Sequence, residues 1–119
     1  MGPWTPRGQQ LRLRVEDGLV TIEIRGVLDA HTAAMARAEF LVVCGIAKAI
    51  TVDLGAVHEL RTDAGLEELL GEFRRECALH RTGLRVVAAH PRVLTALRTW
   101  GIDTNNGRYE WRTRSTGLR

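Results

Sequence analysis

The side chains able to do chemistry are few and scattered. The four histidines, His31, His58, His80 and His90, never fall at i and i+4, and neither an HExxH nor a CxxC motif accompanies them, so they read as loop or surface residues and no metal site is expected. Lys48, the one lysine, precedes a strand instead of opening a helix, and neither GxGxxG nor GxxxxGK[ST] occurs. A phosphate cradle is therefore not encoded in either familiar form. Asp53 ends a predicted strand, where a phosphoryl-accepting carboxylate would stand, but it lacks the acidic pair and the later lysine that hold magnesium and phosphoryl oxygens. Its expected task is to accept backbone amides in the following turn. Glu67, Glu68, Glu72 and Glu76 sit among arginines on what should be a solvated helix face. Cys44 and Cys77 fall on or near apolar helical stripes and read as buried, inert thiols. These residues predict no catalysis and no cofactor.

The composition agrees with a single folded domain. The chain has 119 residues, of which 45% are hydrophobic and 26% charged, enough to bury one core and too short for two ordinary domains. Its longest apolar runs, such as 40–43, are far below the roughly 18 residues a membrane span needs, so no membrane insertion is expected. The first residues carry no apolar segment of signal-peptide length, and two cysteines make no disulfide framework; a cytoplasmic location is the expectation. The formal net charge is +3, and from residue 104 onward Arg108, Arg112, Arg114 and Arg119 outweigh Glu110, so the excess lies in the tail. The alternation Arg108-Tyr109-Glu110-Trp111-Arg112 resembles single-strand nucleic-acid binders, but no second basic patch supports it. A solvated, partly frayed terminus is expected, and nucleic acid is not an expected partner.

The elements follow from periodicity. Leu11, Leu13 and Val15 alternate with charged residues, Asp17-Gly18 supplies a turn, and Val20, Ile22 and Ile24 resume the alternation, which predicts a β-hairpin. A helix is predicted over 29–44 on the spacing of Ala33, Ala36, Phe40 and Val43, with Asp29 or Thr32 as its cap. A strand over 46–54 should be central and buried on both faces. The next helix should start near Thr62 or Asp63, bury Leu66, Leu69, Leu70, Phe73 and Cys77, and stop at Gly83. A strand over 84–89 and a third helix from Pro91 to Gly101, with Ile102 folded back on it and Trp100 in the core, complete the order. The prediction is an α/β fold: a small mixed sheet with an N-terminal β-hairpin followed by α-β-α-β-α.

Two segments carry a family resemblance, Gly26-Val27-Leu28-Asp29-Ala30-His31-Thr32-Ala33 and the run from Ile50 through Asp53-Leu54 to Thr62-Asp63-Ala64-Gly65-Leu66. They resemble the STAS family of bacterial anti-sigma factor antagonists, with its strand, G-x-L-D, V-x-D-L and D-S-S-G-L. His90-Pro91-Arg92-Val93 and Trp100-Gly101-Ile102-Asp103 also look like that family. The resemblance runs from Leu11 to Asp103, which gives a STAS domain over 11–103 between an extension, 1–10, and a basic tail, 104–119.

The resemblance implies a non-catalytic regulator that exchanges protein partners: an anti-sigma factor or a related kinase-like regulator binds at the second helix start and phosphorylates a serine there. Phosphate at a helix N-terminus changes local charge by up to about two units and remodels the patch. Aligned on Gly65-Leu66, the acceptor serine falls on Asp63, its preceding aspartate on Thr62 and the following serine on Ala64, so the usual nucleophile is replaced by a fixed carboxylate. Thr62 is the remaining candidate for phosphorylation, and the plainer reading is that Thr62 or Asp63 caps the helix. The implied partner patch is Asp29, Ala30, His31, Thr62, Asp63, Ala64 and Gly65, two loops that follow strands at their carboxyl ends and so should lie side by side. The rival implied within the family is an accessory subunit of a bacterial ABC transporter of phospholipid type, with the same patch on the transporter ATPase. A homodimer is left open.

Overall fold

The computed structural model describes residues 10–100, 103–105 and 108–112. Strand β1, Leu11–Glu16, turns through Asp17 (φ 55°) and Gly18 (φ 83°) into β2, Leu19–Leu28. Both turn residues have positive φ and Glu16 pairs with Leu19, which is the two-residue hairpin that Asp-Gly encodes. Helix α1, Ala30–Cys44, leads to β3, Ala49–Leu60; a 3-10 turn, Thr62–Ala64, precedes α2, Leu66–His80. Strand β4, Gly83–Ala88, and α3, Pro91–Arg98, follow, giving the predicted β-β-α-β-α-β-α order.

The sheet then continues. Strand β5, Asp103–Asn105, and β6, Arg108–Arg112, form an antiparallel hairpin whose second strand pairs with β4, so the six strands lie in the order β1-β2-β3-β4-β6-β5. The frayed tail expected from residue 104 is thus a sheet hairpin as far as Arg112. The expected end of the domain at 103 lies inside it. The overlooked signal was Asn106-Gly107 between two segments, the second of which alternates with Tyr and Trp.

Parallel pairing of β2 with β3 and β3 with β4 requires crossovers, which α1 and α2 provide. Val20, Ile22 and Ile24 of β2, Ile50, Val52 and Leu54 of β3, and Leu84 and Val86 of β4 are buried beneath Ala36, Phe40, Leu70 and Phe73. Strand β3 is central, but it alternates buried and half-buried residues; the expectation of burial on both faces fails because the helices cover one face. It also runs six residues beyond Leu54. The Asp53 carboxylate accepts the Gly55 N–H at 2.9 Å, as expected, at a place where the register against β2 shifts and the strand continues instead of turning away.

The parallel helices α1 and α2 meet in successive layers. Arg37 Nε donates to Glu72 Oε1 at 2.7 Å, the Phe40 and Phe73 rings stack with centroids 4.0 Å apart, and the next turn of each helix buries a free thiol, Cys44 and Cys77. Burial pushes both thiols up, Cys77 to about 12. Helix α2 stops at His80 with Arg81 in the left-handed region (φ 56°), so the expected stop at Gly83 moves two residues earlier, and Gly83 already belongs to β4. Trp100 is half-buried against the core with the Arg74 guanidinium 4.7 Å from its ring centroid. The expected α3 end at Gly101 and the fold-back of Ile102 lie outside the described residues, and the helix itself ends at Arg98.

Candidate functional site

Strands β2 and β3 end in register, Leu28 opposite Leu60, and the Arg61 N–H donates to the Leu28 carbonyl at 2.9 Å. The chain leaves both strands at the same level, so the start of α1 and the 3-10 turn are neighbours, which brings the two parts of the expected patch together. Asp29 is the N-cap of α1: in extended conformation, its carboxylate accepts the Thr32 N–H at 2.9 Å. That hydrogen bond, with the nearby His31 adding a smaller contribution, holds the Asp29 carboxyl below its ordinary 3.8. Ala30 and His31 are exposed beside it.

On the second loop, Thr62, Asp63 and Gly65 are exposed, while Ala64 is buried. Ala64 therefore anchors the turn and is removed from the surface patch. Neither Thr62 nor Asp63 caps α2, contrary to the capping alternative. The N-cap is Gly65, whose φ of 62° and ψ of 45° put it in the left-handed region, and no side chain bonds the first turn. The intervening 3-10 turn, closed by Ala64 N–H to Arg61 O at 3.2 Å, shifts the helix start three residues past the expected position and leaves both side chains outside the helix.

A pocket of about 280 Å3 opens at this end of the sheet, lined by Thr62, Gly65, Leu66, Glu67, Glu68, Arg92 and Thr95. Arg92 reaches across from α3 and donates from Nη1 to the Leu60 carbonyl at 3.1 Å; its own N–H is taken by Nδ1 of His90, the cap of α3. Sequence reasoning placed no function on Arg92 or Thr95. The available signal was His90-Pro91, which starts a third helix at the carboxyl end of a third parallel strand, beside the other two loops.

The electrostatics are mixed. Between residues 61 and 68, Arg61 stands against Asp63, Glu67 and Glu68, and Arg61 is itself engaged by Glu59 at 2.9 Å. Glu67 and Glu68 occupy the first turn of α2, where the helix dipole favours negative charge, and Asp63 stands on the 3-10 turn before it. The loop is thus an acidic ridge with Arg92 at its inner side. Among the described residues, no group of three or more His, Cys, Asp or Glu side chains is disposed to hold a metal, and no helix is long and apolar enough to cross a membrane.

This arrangement coincides with a family assignment, since the STAS domain profile matches residues 10–115. The chain belongs to the STAS domain family. Its matched span includes β5 and β6 as well as the elements before them. Two solved structures of the anti-sigma factor antagonist SpoIIAA share the fold. The unphosphorylated form is 18% identical with a TM-score of 0.60, covering 74% of this chain and 81% of that one. The phosphorylated form, described as the Bacillus cell fate determinant, is 18% identical with a TM-score of 0.61, covering 76% and 83%. A structure of Mglu also matches, at 21% identity and a TM-score of 0.53, over 71% of this STAS chain but 20% of its own length. A sequence search of curated proteins finds no match.

Proposed function

We propose that this STAS domain is a non-catalytic regulator that switches protein partners, binding an anti-sigma factor or a related kinase-like regulator through the loops at the starts of α1 and α2. The observation that carries the reading is the juxtaposition of Asp29, Ala30 and His31 with Thr62, Asp63 and Gly65 across the Arg61–Leu28 hydrogen bond. The fold likeness to SpoIIAA, an anti-sigma factor antagonist known in unphosphorylated and phosphorylated forms, supports a patch whose charge sets its partner. An enzyme reading gains nothing from the pocket beside this patch, whose lining joins one engaged arginine to four exposed acidic or hydroxyl side chains.

In this chain the switch is altered. Asp63 puts about one fixed negative charge where a phosphoserine would carry one and a half to two, and it is exposed on a loop already rich in carboxylates. The domain then resembles the modified state without modification. A phosphate on Thr62 would stand beside Glu67 and Glu68, which line the same pocket and repel it, with Arg92 as the compensating cation. The fixed-charge reading is favoured over phosphorylation of Thr62 on that ground. Cytoplasmic action in transcription regulation belongs to the same proposal.

The test is affinity capture from the native cell with wild type and Asp63→Ser, followed by mass spectrometry of bound proteins and of residues 62 and 63. The expected result is a kinase-like regulator that binds the serine form more tightly and phosphorylates it. Retention of a transporter ATPase by both forms, without phosphate, would replace the sigma-pathway reading with the transporter one.

A further inference from the structure

Among the described residues strand β1 is an edge, with β2 as its one partner in the sheet. Leu13 and Val15 face the helix-bearing side, since they stand opposite the buried Ile22 and Val20, yet they are 42% and 65% exposed. Helix α1 lies over β2 and leaves them open. Val42 of α1 and Ile46 of the turn after it are also exposed, 70% and 79%. Val42 lies about 160° around the helix from the buried Phe40 and so points outward from the sheet. The strand has no proline, no register shift against β2 and no charge on its apolar face, and the charges it does carry, Arg12, Arg14 and Glu16, lie on its other face.

The backbone of β1 is also ready to pair. Glu16 and Leu19 close the two-residue loop, so Arg12, Arg14 and Glu16 exchange hydrogen bonds with β2, and the amides and carbonyls of Leu13 and Val15 point outward. Two antiparallel self-pairings keep the apolar faces matched over most of the strand. One, centred on Leu13, opposes Arg12 to Arg14 of a second copy twice. The other, centred on Arg14, opposes Arg12 to Glu16 twice and Leu13 to Val15 twice, with a single Arg14–Arg14 contact. Its charged pairs occupy the non-hydrogen-bonded positions, where cross-strand side chains come closest.

We infer that β1 is a homodimer interface, pairing antiparallel with β1 of a second copy about a two-fold axis at Arg14 and joining the two sheets edge to edge. The occupant is a second copy because in that register two Arg12–Glu16 pairs outnumber the one Arg14–Arg14 contact while Leu13 and Val15 cover one another. This surface lies on the β1 edge of the sheet, away from the pocket beside α3.

Sedimentation velocity of the full chain over a concentration series tests it. Wild type should shift from monomer to dimer as concentration rises. Glu16→Arg, at an exposed position, should keep the wild-type thermal midpoint, whereas Arg12→Glu, which also replaces the 4.0 Å Arg12–Glu23 ion pair by two facing carboxylates, should lower it slightly; each should weaken self-association roughly tenfold or more, because each sets like charges opposite one another twice across the interface. An equimolar mixture of the two variants should recover a dimer, since each then offers the other two opposite-charge pairs. A wild type that stays monomeric at the highest concentration, single variants that dimerise as well as wild type, or a mixture that does not recover would each overturn the inference.

Discussion

The Arg61 N–H donates to the Leu28 carbonyl at 2.9 Å, just where β2 and β3 end together. This bond helps to hold the 3-10 turn of residues 62–64 beside the start of α1.

Asp29 is the side chain that organises the first of these loops. Its folded pKa is depressed by the Thr32 N–H, so its carboxylate contributes stability that is present above the unfolded value of 3.8 and lost as pH falls through the lower folded value. Asp29→Ala should lower the urea midpoint at neutral pH, and Asp29→Asn, which retains a capping oxygen, should lower it less. Below the folded pKa the gap between wild type and Asp29→Asn should close. Urea titrations at neutral and strongly acid pH check both statements.

The end of α2 offers a stabilising substitution. Arg81 holds a left-handed backbone (φ 56°) with its N–H directed at the Ala78 carbonyl, a position that glycine fills without steric cost. Arg81 is exposed and makes no ion pair among the described residues. Arg81→Gly should therefore raise unfolding free energy by about 1 kcal/mol. Chemical denaturation with an unchanged m-value is the check; a loss of stability would mean that the side chain contributes more than the strain costs.

Most of the fold was legible in the sequence because its signals are local. The period-two runs flanking Asp17-Gly18 and the helical spacing of Phe40 and Phe73 required no tertiary knowledge. What escaped depended on context. The extension of β3 past Gly55 rests on a bulge pinned by Asp53, and the left-handed Arg81 shows no glycine to announce the end of α2. The two loops of the site were placed together by topology alone, but the burial of Ala64 and the reach of Arg92 to Leu60 are products of packing. The capping expectation failed at Thr62 and Asp63 because one 3-10 turn separates them from Gly65.

The thiols give a probe of opening. Cys44 and Cys77 are buried, and Cys77 is pushed up to about 12 from 9.0. Both should resist an aromatic disulfide reagent in the native state and react fully in denaturant, at rates that follow unfolding. A folded pKa above the unfolded one contributes stability that is complete below pH 9.0 and declines as pH rises toward about 12. Rapid labelling of either thiol in the native state at neutral pH would contradict this placement.

Truncation separates a tail from a sheet edge. Ending the chain after residue 102 removes β5 and β6 and leaves the Arg85–Ala88 edge of β4 without its partner strand, next to the buried Val87. The expected cost is about 2 kcal/mol, the scale of one large apolar side chain returned to water together with an unpaired strand. Ending the chain after Arg112 retains all six strands and should leave the thermal midpoint near that of the full chain. Differential scanning calorimetry of the two truncations decides the matter. Equal midpoints for both would return residues 103–112 to the role of a dispensable basic tail, whereas a large drop confined to the shorter chain makes the last hairpin part of the domain's cooperative unit.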